Sequence, residues 1–286
     1  GIRINGNATR SYPQKSLRVL MRDQKLKNPW GEEVHSFLLR NGGNTATSTI
    51  IGDLLAQEMM QDSKILHQRG QSVVVLINGD YWGIHNIRDR IKVENIALWK
   101  KCPVTEVSIF EGDEQEEGNP NRSVDLSSLL DKLRKGQDVE FKEFKKEIDL
   151  KEFAEYVLIE TFLANNDWPS NNFAMFKVRK GKWHPIVSDL DFCLGYNNLV
   201  RSDEDMLKRA ASKGTVGLLL TGLLKHPEFR EIFEKEFDKI KETTLYDTEK
   251  FTVLINDLSS KIRPEMPFHI NRWHEPESIE YWESEL

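Results

Sequence analysis

Asp167 and Asn172 stand five positions apart in "LANNDWPSNN" (residues 163–172), and Asp189 and Asp191 fall in "HPIVSDLDFCLG" (residues 184–195). Carboxylates and an amide of this kind suit phosphoryl transfer. One carboxylate takes the proton of an incoming hydroxyl, while hard oxygen ligands fix magnesium across the phosphates. If the strand before the pair continues through Leu190, Asp189 and Asp191 point to one face and share an ion. A plainer reading also fits each stretch alone. Asn ends helices, Asp-Trp-Pro is turn chemistry, and an apolar strand often closes on an acidic turn.

The order of the parts favours the chemical reading. Asp167, Asn172, a hairpin turned at Lys180-Gly181 and then Asp189, Asp191, Phe192 and Gly195 follow one another. The same order marks a protein-kinase active site: a catalytic-loop Asp, an Asn five residues on, and a metal-binding Asp near Phe and Gly. A phosphate-binding cation is available in Lys15, where "NGNATRSYPQ" runs into the alternating "KSLRVLM". A solvated strand lysine is the alternative, and with only Gly6 that loop is not GxGxxG. Histidine chemistry has less support. His184 precedes the acidic pair, and His35, His67, His85, His226, His269 and His274 are scattered without HExxH or a carboxylate-histidine spacing. No GxSxG elbow or Walker lysine motif is present.

Two kinds of scaffold must hold these residues. Up to about residue 100 the pattern predicts a small antiparallel sheet, with "SFLLRN" and two runs around an Asn78-Gly79-Asp80 turn. One helix is expected there, over "TSTIIGDLLAQEMMQ", with Ile50, Ile51, Leu54, Leu55 and Met59 on one stripe. The stretch "EGDEQEEGNPNRS" reads as a solvated loop or linker, and its spacing does not match an EF-hand. Beyond it the chain reads as mostly helical around the hairpin. Stripes such as Phe153, Val157, Leu158 and Phe162 are expected to be core.

Composition narrows the function. At 286 residues and 38% hydrophobic, the chain can bury a sizeable core as one large domain or two parts. A net charge of -6 argues against general nucleic-acid binding. Basic residues cluster only near the start, at Arg3, Arg10, Lys15, Arg18, Arg22, Lys25 and Lys27. Cys102 and Cys193 make neither a disulfide framework nor a metal motif. No apolar run approaches the roughly 18 residues of a membrane span. The chain begins at Gly1 without an initiator methionine or leader, and is read as part of a longer polypeptide.

Several segments together resemble the CotH kinase-like family, named for a bacterial spore coat protein and related to atypical secretory-pathway kinases. They are "INGNATRSYPQKSLRV", "FLLRNGGN", "LINGDYWGIHNIRDRI", "NNDWPSNNFAMFK", "WHPIVSDLDFCLG", "HPEFREIFEKEF" and "IRPEMPFHINRW", so the similarity covers nearly the whole chain. The resemblance implies an α+β, two-lobed atypical protein-kinase-like fold. Residues 1–100 would be a β-rich N-lobe with one helix, and residues 101–286 a mostly helical C-lobe with a catalytic hairpin.

It also implies an ATP-dependent kinase, using Mg or Mn, that phosphorylates Ser or Thr of exported or surface proteins of a bacterium. Its partners would be nucleotide and protein substrate. By position, Asp167 is the catalytic aspartate, Lys15 the phosphate-binding lysine, and Asn172, Asp189 and Asp191 the metal site. Arg10 and Arg40 would steady phosphates or the lysine loop. Three positions depart from the family pattern: Asn5 replaces an arginine, Asp89 a glutamate with a nucleotide-side contact, and Thr45 a frequent aspartate. The shorter Asp89 leaves a catalytically inactive, surface-binding relative as the alternative. A structural calcium site at Asp189 and Asp191 is a third reading.

Overall fold

The computed structural model describes residues 1–112, 114–119, 121, 123–200 and 203–286. In chain order the first third forms β1 (Ile2–Ile4), β2 (Leu17–Leu20), β3 (Leu26–Lys27), β4 (Glu33–Val34) and β5 (Ser36–Arg40). α1 (Gly52–Glu58), β6 (Leu66–His67), β7 (Gly70–Ile77), β8 (Asp80–Asp89) and α2 (Val93–Trp99) follow. Five of these strands make an antiparallel sheet in the order β1-β2-β5-β8-β7. Its tightest connection is the β7–β8 turn, where Asn78 (φ 54°) and Gly79 (φ 90°) take the two left-handed positions of a type I′ hairpin between Ile77 and Asp80.

This region holds two helices where one was expected. α1 starts later than the sequence suggests, at Gly52, without a side-chain cap. The second helix, α2, buries Asn95, Ile96 and Ala97. Its 7 residues are too few for periodicity to separate from a strand end.

The acidic stretch is also more ordered than a linker. β9 (Val107–Glu111) and β10 (Glu114–Glu117) form a hairpin across it, while Asp113, Pro120 and Arg122 lie outside the described residues. After α3 (Val124–Arg134), α4 (Phe141–Glu147) and α5 (Leu150–Phe162) come β11 (Ala174–Val178) and β12 (Trp183–Val187). These strands join a second sheet ordered β10-β9-β11-β12-β6, antiparallel except for the β12–β6 pair. β6 therefore carries residues from the first third into the second sheet.

The remaining helices are α6 (Met206–Ala211), α7 (Gly214–Leu224), α8 (Pro227–Ile240), α9 (Thr248–Ile262), α10 (Met266–Trp273) and α11 (Ile279–Ser284). α5 is the axis of the main core. Asp149 caps it by accepting from the Lys151 and Glu152 amides, and Phe153, Ala154, Tyr156, Val157 and Ile159 are fully buried. A second core joins Ile51, Leu54 and Ile84 to Leu258, Ile262, Met266 and Trp282, so the last helices fold back onto the first sheet. No described helix is long and apolar enough to cross a membrane.

Candidate active site

The site is assembled from three strand or helix ends. The first is the turn after β5. Buried Asn41 fixes it: its Oδ1 accepts from Ser16 Oγ at 2.7 Å and from the Gly43 amide at 3.1 Å, and its Nδ2 donates to the Gln14 carbonyl at 2.8 Å. Gly43 (φ 62°) then brings the backbone close to Asp191. A Cβ at position 43 would lie 2.0 Å from Asp191 Oδ2 and 2.7 Å from Arg40 Nη2, so this approach requires glycine.

The second is the loop after α5. Glu160, fully buried, accepts from Asn165 Nδ2 at 3.0 Å, and Asn165 Oδ1 accepts from the Asp167 amide at 3.2 Å. Trp168, also fully buried, donates to the Tyr156 hydroxyl at 2.8 Å. From α6, Arg209 Nη2 donates to the Asn166 carbonyl at 2.5 Å. Asp167 is thus held from behind, with its carboxylate accepting from Asn171 Nδ2 at 3.1 Å and from Asn172 Nδ2 at 3.4 Å. Asn172 Nδ2 also reaches the Asp189 carbonyl at 3.5 Å.

The third is the turn after β12. The strand ends at Val187 rather than continuing through Leu190, and Asp189 takes φ 57°. The two aspartates nevertheless meet one cation, and it is a guanidinium. Arg40 Nη2 donates to Asp189 Oδ1 at 2.7 Å and to Asp191 Oδ2 at 2.9 Å, while its Nη1 lies 3.5 Å from Asp53 Oδ2. Asp191 also accepts from the Asn44 amide at 2.9 Å and from Asn44 Nδ2 at 3.0 Å. Asp53 accepts from the Leu190 amide at 2.8 Å and pairs with fully buried Arg88 at 2.8 Å. The turn is further tied to the Asp167 loop, since the Asn166 amide donates to the Phe192 carbonyl and the Leu194 amide to the Leu163 carbonyl.

Burial and charge pull these groups apart. Burial, then the charge of Asp189, pushes the Asp191 carboxyl up to about 6 against the opposing pull of Arg40. Asp53 is held below the usual carboxylate range: its burial acts upward, but Arg88 and Arg40 outweigh it. Burial pushes Glu160 up to about 8, so this carboxyl is neutral at pH 7. A carboxyl raised in the fold stabilises it fully below its ordinary pKa, near 4.5, and that stability is lost as pH rises through about 8. Glu160→Gln stays neutral and is expected to flatten the fall in urea stability between about pH 4.5 and 8, at about 1.4 kcal/mol per tenfold change in acidity. An unaltered pH slope in the variant would count against this assignment.

The other residues singled out from the sequence lie around this centre in different ways. Lys15 precedes β2, and its Nζ donates to the Arg10 carbonyl at 2.8 Å and to the Tyr12 carbonyl. Lys15 therefore closes its own loop. The Tyr12 hydroxyl is raised by burial and next by the charge of Asp191, which puts this loop within electrostatic range of the acidic turn. Arg10 is exposed. Asp89 is outside the cluster: it pairs with Arg69 Nε at 2.6 Å, and Arg69 continues to Glu32. Thr45 donates to the Gly42 carbonyl, and Asn5 accepts from Arg18.

Sequence reasoning missed Asp53, Asn44 and Arg88. Asp53 left a signal, a carboxylate between Ile51 and Leu54 of the α1 apolar stripe, which needs a buried partner. A carboxylate-histidine pair also escaped it: His184 Nδ1 lies 2.8 Å from Glu152 Oε2, and with Asp149 they offer ligand atoms within 4.8 Å of one another at the start of α5. This set is separate from the Asp189 and Asp191 turn. Asp149 already caps α5, and Glu152 already pairs with His184.

The profile described as "CotH kinase protein" matches residues 2–286. The chain belongs to the CotH kinase protein family. A kinase-like function follows from that membership, and the fold is mixed α/β with antiparallel sheets. A search of the curated proteins returns no match. Among solved structures, the chain is similar to a Helicobacter pylori protein titled proinflammatory kinase CtkA. That similarity has 11% identity over 87% of this chain and 90% of that one, with a TM-score of 0.36.

The donor set of this CotH-family chain fits a divalent ion. Asp189 and Asp191 offer hard oxygen atoms of the kind such an ion takes and already converge on a positive group, the Arg40 guanidinium. Asn172 beside them carries an amide oxygen as a third donor atom, its nitrogen facing Asp167 and Asp189.

Proposed function

We propose that this protein is an ATP-dependent protein kinase that transfers the γ-phosphoryl group to Ser or Thr of exported or surface proteins of a bacterium. The carrying observation is the convergence of Asp167, Asn172 and the Asp189–Asp191 turn through the contacts of Asn172. Asp167 accepts the substrate hydroxyl's proton, and its two supporting amides hold the carboxylate in one orientation. Asp191, Asp189 and Asn172 would hold Mg or Mn, which when bound neutralises phosphate charge. Lys15, Arg10 and Arg40 supply the cationic side for the phosphates. Asp89, paired to Arg69, supports the first sheet and takes no direct part in this reading.

The inactive alternative draws support from Lys15 and Arg40, both engaged with protein oxygens. One series separates the two. The catalytic reading expects Mg-ATP or Mn-ATP to raise Tm, by about 2.7 kcal/mol of stability at a hundred times Kd. Mass-shift autophosphorylation should accompany that rise. An unchanged Tm with every nucleotide and metal pair, together with no phosphate incorporation, selects the non-catalytic binding protein. Stabilisation by calcium alone would select the structural calcium site.

A further inference from the structure

We propose that Arg40 is a placeholder cation: in the nucleotide-free protein it holds the carboxylate oxygens a divalent ion needs, and nucleotide phosphates draw it away as the ion binds. The inference rests on the reading of Asp189 and Asp191 as the metal pair. One nitrogen, Nη2, joins Asp189 Oδ1 and Asp191 Oδ2 at 2.7 and 2.9 Å. The rest of Asp191 is engaged by Asn44, through its amide on Oδ2 and its side chain on Oδ1. With Arg40 in place, the buried member of the pair has little left to offer an ion.

Charge makes the two occupants compete. Asp53, Asp189 and Asp191 carry three negative charges against two positive ones on Arg40 and Arg88, which leaves one negative charge. A divalent ion added to both arginines reverses that to one positive charge in a mostly buried cluster, where repulsion is poorly screened. With the guanidinium turned to phosphate, the ion and Arg88 balance the three carboxylates. Arginine suits such a transfer because its planar fork binds carboxylate and phosphate alike. Its Nη1, 3.5 Å from Asp53, provides an anchor about which Nη2 can turn.

Metal and nucleotide binding should then be positively coupled through this side chain, and binding measurements test it without any turnover. Free Mn²⁺ is followed by electron paramagnetic resonance, with and without a non-hydrolysable ATP analogue. Without nucleotide, Arg40→Gln is expected to bind Mn²⁺ at least about tenfold more tightly than wild type, within the usual range of coupling between sites. The analogue should close the gap, and Asp191→Asn should abolish binding in both backgrounds. Should Arg40→Gln fail to fold, Arg40→Lys serves, since an ammonium lacks the fork; tighter Mn²⁺ binding of smaller size is expected.

Equal or weaker Mn²⁺ binding in the folded Arg40 variant, with Asp191→Asn still abolishing it, overturns the placeholder and leaves the metal site standing. No Mn²⁺ bound by wild type or variant, with or without the analogue, overturns the metal reading and the placeholder with it.

Discussion

Asp191→Ala is expected to lose at least about a thousandfold of its phosphate incorporation, or about 4 kcal/mol of transition-state stabilisation, in Mg-ATP or Mn-ATP. The size follows from how much Asp191 organises. It is 4% exposed, receives three hydrogen bonds from Arg40 and Asn44, and is the buried member of the acidic pair. Asp189 is 45% exposed at its side chain and cannot replace it without losing its own hold on Arg40. Asp167→Ala should fall by about a hundred- to ten-thousandfold, the range for a positioned proton acceptor. Both variants should keep their circular-dichroism spectra, because Asp53 and Asp189 still hold Arg40 and the Asn165 contact to the backbone survives. Incorporation equal to wild type in both variants would sink the catalytic assignment.

Arg88→Met is expected to destabilise the fold by about 3–5 kcal/mol, because removing one partner strands a buried charge. Arg88 is fully buried on β8, donates to the Gln68 carbonyl at 3.1 Å, and pairs with Asp53 at 2.8 Å. Gly70, its neighbour across the β7–β8 pair, makes the room: a Cβ there would meet Arg88 Cδ at 2.5 Å. Once Arg88 is gone, the nearest remaining cation is Arg40, 3.5 Å from Asp53 and shared with Asp189 and Asp191. The loss should appear as a Tm lower by about 10 °C, given about 2–4 °C per kcal/mol for chains of this size. Arg88→Met combined with Asp53→Asn should recover much of it, since the stranded charge is removed as well. A fall below about 1 kcal/mol in the single variant would show that the pair is not needed.

Local pattern carried some features of this chain well and others not at all. The type I′ turn at Asn78-Gly79 follows from two-residue turn chemistry. The hairpin expected around Lys180-Gly181 is present, but it closes over a longer connection between Lys177 and Trp183, with Arg179 as its left-handed residue. The apolar stripe of α5 follows from helical spacing at Phe153, Val157 and Leu158, whereas Phe162 at its end is exposed rather than core. The convergence of Asp167 with Asn172 was visible because five residues of one loop separate them. Arg40 and Asp189 are separated by 149 positions, and no local period reveals that a guanidinium bridges the acidic pair. A similar separation, 147 positions to Asp191, hid Asn44, while Arg88 meets Asp53 from another strand. Lys15 illustrates the reverse error of scale: its place before a strand was legible, but its capture by the Arg10 and Tyr12 carbonyls depends on how the loop closes on itself. The acidic stretch reads as solvated because its charges dominate its composition. Pairing with β9 is backbone chemistry that composition does not report.

The polar contacts at the centre are also where distant parts of the chain are fastened together. Arg40, Asn44 and Asp53 come from the β5–α1 segment and meet Asp189, the Leu190 amide and Asp191 beyond β12. Burying these groups costs free energy unless every partner arrives, so neither segment gains from ordering its half alone. Completion of the centre and completion of the fold are therefore one cooperative event. A chain cut between α2 and β9 would yield pieces that each expose unpaired charge. Mixing those pieces should restore structure and nucleotide response with the same concentration dependence.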